Sequence, residues 1–135
     1  MALGEQATHP AGGAARAAQC PAASILETTL AHASALMEQT RYSEAVTILR
    51  PDADRMCDPR LSLLLSGALE GTGDLPGART TLADAHTRWP QDDRVATSLA
   101  REYLREGQQA QAAQALENFQ ATRATPLPEM ELATV

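Results

Sequence analysis

The sequence predicts an all-α fold built as a stack of antiparallel helix pairs, and two observations lead there. The first is a repeat. Ala45 and Leu49 lie 33 residues before Ala78 and Leu82, and Ala112 and Leu116 lie 34 residues after them. Self-similarity at a fixed period of this length marks a stacked helical repeat. The second is composition. Apolar residues make up 44% of the 135 residues, yet aromatics only 3%. Alanine and leucine suit closely packed helices, whereas strands of a sandwich or barrel favour β-branched and aromatic residues. The length is one domain's worth, enough to bury a core.

The stretch 71–90, GTGDLPGARTTLADAHTRWP, shows the unit most clearly. Gly71 and Gly73 punctuate the chain. Asp74 is placed to cap a helix, and Pro76 sits in its first turn, where a missing N–H costs little. Ala78, Leu82 and Ala85 share one face. Trp89-Pro90 ends the segment, because the residue before a proline is pushed out of the α region.

Taken in order, residues 1–22 are Ala-, Gly- and Pro-rich and read as a flexible arm, with room for a fraying helix over Ala14–Gln19. The first helix is predicted from Ser24 to about Gln39, opened by a Ser24-x-x-Glu27 capping box. Leu26, Leu30, Ala33 and Leu36/Met37 form its apolar stripe. After a turn at Thr40-Arg41, a second helix starts near Ser43, with Ala45, Val46 and Leu49 inward. Pro51 breaks or sharply bends it, and Asp52–Cys57 has the makings of one more turn. Asp58-Pro59 caps the third helix, Arg60–Glu70, whose LSLLL run is apolar nearly all round. The fourth spans about Leu75–Arg88. The fifth, about Asp93–Glu106, is capped by Asp92 and ended by Gly107. The sixth spans about Gln109–Thr122, with Ala112, Leu116 and Phe119 inside. Met130, Leu132 and Val135 suit a seventh helix too short to stand alone. The domain scheme is therefore an arm (1–22), a repeat domain (24–58, 59–91, 92–122) and a linker with a partial capping helix (123–135).

Charge and cysteine usage narrow the chemistry. The net charge of −6 leaves no basic footprint for nucleic acid. All the basic residues are arginine, so Schiff-base lysine chemistry and a P-loop are excluded. Cys20 and Cys57 form no CxxC and have no histidine at metal-ligand spacing. They are expected to be free thiols in a reducing cytosol, since a disulfide would need the arm to fold back. With no signal peptide and no apolar run long enough to span a bilayer, the expected location is cytoplasmic, off the membrane.

Residues 24–122 resemble three tetratricopeptide (TPR) repeats. The middle unit carries the resemblance on Leu65, Ser66, Leu69, Gly73, Ala78, Leu82, Ala85 and Pro90. The last carries it on Leu99, Ala100, Tyr103, Gly107, Ala112 and Leu116, with Phe119 where alanine is usual. The first carries it on Ala33, Leu36, Tyr42, Ala45 and Leu49, with His32 at an apolar place and Thr40 in place of glycine. The family's early tryptophan is missing from all three units. The resemblance implies a right-handed α-solenoid in which the first helix of each pair lines a concave, peptide-holding groove. Its groove positions would be Glu27, Leu30, Ser34, Met37 and Glu38; Arg60, Leu63, Gly67 and Glu70; and Arg94, Thr97, Arg101 and Arg105. The family's carboxylate clamp does not carry over, because Leu30, Ser34 and Leu63/Leu64 stand where it needs lysine and asparagine.

Periodicity alone singles out Arg94, Arg101 and Arg105, at i, i+7 and i+11 on one face of the fifth helix. One reading is a cationic strip for an acidic segment or a terminal carboxylate. The other is a solvated face relieved by Glu102 and Glu106. His32 is expected as a satisfied or partly exposed core histidine rather than a ligand, His86 at the surface near Asp84 and Arg88, and Tyr42, Tyr103 and Phe119 inside. The indole N–H of Trp89 should meet a carbonyl or water. No local set points to nucleophilic catalysis, metal or cofactor. The expected function is a non-catalytic module that binds a peptide or partner helix, with homo-oligomerisation through the terminal helices as the alternative. Substituting Ala78→Glu would bury an unpaired charge and unfold the array; far-UV circular dichroism and a thermal melt of that variant check it, and an unchanged melt would overturn the packing scheme.

Overall fold

One local device, used three times, reverses the chain within each helix pair. In the computed structural model, which describes residues 20–124, Thr40, Gly73 and Gly107 adopt left-handed backbones with φ of 57°, 91° and 76°. At each site the following amide donates back across the turn: Arg41 to the Leu36 carbonyl, Asp74 to Leu69 and Gln108 to Tyr103, all at 2.8 Å. The left-handed residue's own amide donates to Met37, Glu70 or Leu104. These bonds satisfy carbonyls that the helix end leaves open.

The described residues form α1 (Ala23–Glu38), α2 (Tyr42–Asp54), α3 (Pro59–Thr72), α4 (Leu75–Arg88), α5 (Asp93–Arg105) and α6 (Gln109–Ala124). Asp58, Asp74 and Asp92 cap α3, α4 and α5 by accepting from the amides of Arg60, Gly77, and Arg94 with Val95. Each helix packs on the next, and α1 on α3 and α3 on α5 as well. The first helices of successive pairs thus lie side by side. The fold is an all-α solenoid of antiparallel pairs. Ala45, Ala78 and Ala112 are buried, as are Leu49 and Leu82. Burying each leucine is worth roughly 2 kcal/mol.

Several expectations change. The Ser24–Glu27 capping box does not form: α1 starts at Ala23, after an Ala22 that caps with no side chain. Ser24 lies in the first turn, and Glu27 is drawn instead to Arg60. Pro51 does not end α2, which continues to Asp54. Thr47, whose carbonyl loses its donor, is exposed, so water can replace the missing amide. Met56 then turns the chain with φ of 58°. Gly71 is not part of the turn but lies inside α3, where a Cβ would collide with the Tyr42 ring. Its absence lets α2 and α3 close up.

The last pair departs from the repeat. Leu116 is 38% exposed and Phe119 only half-buried, while Ala115 takes the core position beside Leu82 and Leu99. No further pair among the described residues covers that side of α6. The seventh-helix segment, 125–135, and the arm to residue 19, including Ala14–Gln19, lie outside the described residues.

His32 is exposed rather than part of the core, and His86, expected at the surface, is buried. Tyr42 and Tyr103 are half-buried, and the Arg88 guanidinium lies 5.4 Å from the Trp89 ring centre. The thiols are not free. Cys20 and Cys57 form a disulfide with Cα atoms 5.6 Å apart. Cys20 immediately precedes α1 and Cys57 lies in the α2–α3 loop, and the packing of α1 and α2 brings the two together without a long arm folding back. Disulfides persist in oxidising compartments, so the argument for a reducing compartment from free thiols no longer stands. Among the described residues no helix is long and apolar enough to cross a membrane.

Thr40 is a β-branched residue in a left-handed conformation that Gly73 and Gly107 adopt without strain. Thr40→Gly should therefore stabilise the fold by about 0.5–1 kcal/mol, the relief of strain exceeding glycine's extra unfolded-state entropy. A thermal melt should show this as a rise of a few degrees.

Candidate functional site

The side-by-side placement of α1, α3 and α5 creates one continuous face, and the repeat places equivalent residues across it. Glu27, Arg60 and Arg94 occupy matching positions in the three units. Arg60 Nη2 donates to Glu27 Oε2 at 2.7 Å and to Asp58 Oδ2 at 2.9 Å. The hydrogen bond from Arg60 is the main cause holding the Asp58 carboxyl below its usual range, against the opposing effect of burial. Its cationic partner is raised in turn. Further along, Met37 reaches over Gly67: a Cβ there would stand 3.2 Å from Met37 Cε. The α1–α3 seam is thus an internally paired ion cluster followed by an apolar contact.

The α3–α5 seam is different. Leu63, Arg94, Thr97 and Arg101 converge on one open cavity of about 340 Å³, together with Asp93 and Ser98. Arg94 and Arg101 are exposed, and neither forms an ion pair among the described residues. Four residues predicted from the sequence therefore meet at one place. Others do not join them. Leu30 belongs to the core. Ser34 is half-buried and Glu38 exposed. Arg60 is occupied by its two carboxylates, and Arg105 by two more, Glu70 Oε1 and Glu102 Oε2, each at 3.4 Å.

Glu102 is the largest departure. As a solvated counter-charge it would be exposed; it is 0% exposed. Its Oε1 has no hydrogen-bond partner. Burial first, and then the hydrogen bond and charge of Glu70, push its carboxyl up to about 7, with Arg105 and Arg101 opposing. The signal was present in the spacing. Glu102 follows the fully buried Val95 by seven residues, two helical turns on the same line. Glu106, the other expected counter-charge, pairs with Arg79 of α4 at 3.5 Å.

These features define a class: an α-helical repeat solenoid in which the face shared by α1, α3 and α5 carries Leu63 beside two arginines that form no ion pair among the described residues. Neither a family model nor a curated protein matches the sequence. Among solved structures, the chain is similar to the type III secretion chaperone SycD of Yersinia enterocolitica, in complex with a peptide of the translocator YopD. The TM-score is 0.64 at 20% identity, over 84% of this chain and 87% of that one. A likeness at that identity establishes the fold.

The raised Glu102 fixes the sign of a pH effect. The folded state holds a proton that an ordinary glutamate releases between about pH 4.5 and 7. This contribution is complete below the unfolded value and is lost as pH rises through the folded one. Asp58 acts below that window. Calorimetric melts should show wild-type stability falling from pH 5 to 8 by roughly 2–3 kcal/mol more than in Glu102→Gln.

Proposed function

We propose that this chain is a non-catalytic peptide-binding module. Its concave face holds an extended or helical segment of a partner protein, with an acidic group of that segment on Arg94 and Arg101. The observation that carries the reading is the convergence of Leu63, Arg94, Thr97 and Arg101 on one cavity. Arginine pairs with carboxylates in bidentate geometry, and neither of these two forms an ion pair among the described residues. Leu63 supplies an apolar contact beside the charge. The fold likeness to a chaperone solved with a peptide of a translocator adds weight to a peptide as the ligand. Met37, over Gly67, and the Glu27–Arg60 pair extend the same wall toward α1, with Ser34 on that helix and Arg105 at the far end of α5.

A second reading, self-association through the terminal helices, is favoured by apolar exposure. Leu104 is 56% exposed near the end of α5, and Leu116 is open on α6. Ile25, on the first turns of α1, is exposed at the other end of the array. Salt separates the two readings. Capture of an acidic segment weakens as salt rises, whereas apolar association persists or strengthens.

Fluorescence anisotropy against a library of labelled acidic peptides tests the groove. Wild-type binding should fall from low to high salt, and Arg94→Glu/Arg101→Glu should lose at least about tenfold in affinity, since each charge-assisted hydrogen bond is worth about 1.5–3 kcal/mol. Equal binding by both proteins would remove the groove as drawn. Light scattering across concentration reports the oligomer directly.

A further inference from the structure

Three charged side chains meet at one end of the α3–α5 seam, and their charges do not balance. Glu102 of α5 has no exposed surface, and its Oε1 has no hydrogen-bond partner. Its Oε2 lies 3.4 Å from Arg105 Nη1, about a turn along the same helix. The same nitrogen lies 3.4 Å from Oε1 of Glu70, across the seam on α3. Two carboxyl groups thus share one donor atom. Each sits beyond the roughly 2.7–2.9 Å of a charge-assisted hydrogen bond.

One guanidinium neutralises one carboxylate. With both acids ionised, the interior would hold a surplus negative charge and an oxygen that meets neither donor nor water, a costly arrangement. A proton on one acid removes the surplus. Glu102 is the enclosed member, and burial, then Glu70, push its carboxyl up to about 7. The elements packed on α5 offer no second counter-charge. Arg60, the other charged residue of α3, is held by Glu27 and Asp58 at the opposite end of that helix. On α4, Arg79 pairs with Glu106, and His86 lines the α4–α5–α6 cleft with Tyr103. Asp84 and Arg88 line a cavity with Asp54 of α2. On α6, no charged side chain occurs from Gln109 to Leu116, Glu117 is exposed, and Arg123 stands beside Arg94 at the start of α5. Arg101 opposes the rise through its charge alone.

We propose that Glu70, Glu102 and Arg105 form a proton-gated latch between α3 and α5. With the proton on Glu102, Arg105 pairs with Glu70 across the seam and the latch is closed. When Glu102 releases its proton to solvent, it becomes a second claimant on Arg105 and draws the guanidinium back onto its own helix. The tie to Glu70 is given up, and water enters beside Glu102 Oε1. Only an O–H bond breaks, and Arg105 keeps its charge throughout. Arg101 lies one turn before Arg105, so α5 carries it firmly against α3 while Glu102 is protonated and loosely once it is not. The latch stands whether or not an acidic segment binds along that wall.

The test is carbon-detected NMR of the glutamate side-chain carboxyls in the full chain from roughly pH 4 to 9, read together with amide hydrogen exchange. The two acids should titrate as a coupled pair, with the upper step reported mainly by Glu102. Glu70→Gln removes the rival acid and should move that step down by about one pH unit. Arg105→Gln removes the guanidinium and should move it up by a similar amount. Both positions are partly exposed, so these arms leave the core untouched. From about pH 6 to 8.5, exchange protection in the last two turns of α5, corrected for the intrinsic effect of pH, should fall at least fivefold relative to α2 in wild type and stay level in Glu102→Gln. Three outcomes would overturn the proposal: a Glu102 carboxyl titrating below about pH 5; an upper step in Glu70→Gln unchanged from wild type, which leaves burial as the whole cause; or a wild-type loss of protection that is absent or is matched by Glu102→Gln.

Discussion

Everything in this molecule depends on how closely its helices approach at a few residues too small to hold them apart. Ala45, Ala78 and Ala112 are buried at equivalent places in α2, α4 and α6. A larger side chain at any of them would force the partner helix outward or leave its rotamer strained. Gly71 does the same at the α2–α3 edge, where the Tyr42 ring occupies the space of a Cβ. This close spacing within pairs lets α3 touch both α1 and α5. The shared wall of α1, α3 and α5 is therefore a consequence of alanine packing, and its residues come from three segments far apart in sequence.

What could be read beforehand follows from the range of the interactions involved. Helix boundaries were legible where local chemistry decides them. Asp58, Asp74 and Asp92 cap from within a few residues, and Gly73 and Gly107 turn the chain by their own backbone freedom. The arginine line on α5 was legible because helical period alone generates it. Features decided by a distant neighbour were not. Glu27 could cap its own helix or pair with Arg60, and only the α1–α3 contact settles that competition. Cys20 and Cys57, 37 residues apart, meet because two helices pack. His86 and His32 both stand among mixed neighbours in sequence, and burial by α5 and α6 separates them. Leu116 fits the repeat, but a repeat position is buried only if the next unit covers it, as the chain does for Leu49 and Leu82 and not for Leu116 among the described residues.

The charges on α5 show why counting arginines on a face overstates a cationic site. Arg105 is held by Glu70 and by Glu102, a carboxylate with no exposed surface. Part of its charge is used to keep an acid in the interior, which is a structural task. Arg60 is likewise held by Glu27 and Asp58. Arg60–Glu27 and Arg105–Glu70 tie one first helix to the next and Arg60–Asp58 secures the start of α3, so these acids stiffen the wall while offsetting its positive charge. Arg94 and Arg101 are the concave-wall candidates that form no ion pair among the described residues.

That remainder gives the wall a direction. From α1 toward α5 it passes from a cluster of two acids on one arginine, through the Met37–Gly67 contact, to two exposed guanidinium groups beside Leu63. A segment lying across it would meet an excess of negative charge at the α1 end, where two acids share Arg60, and positive charge at the α5 end. Reversing such a segment would place its acid against Glu27 and leave the arginines solvated, so the two orientations differ in energy even if their apolar contacts are the same. Shape alone distinguishes poorly between the two directions of an extended chain. For the segment proposed above, orientation would be set by which arginines are held in ion pairs and which are not.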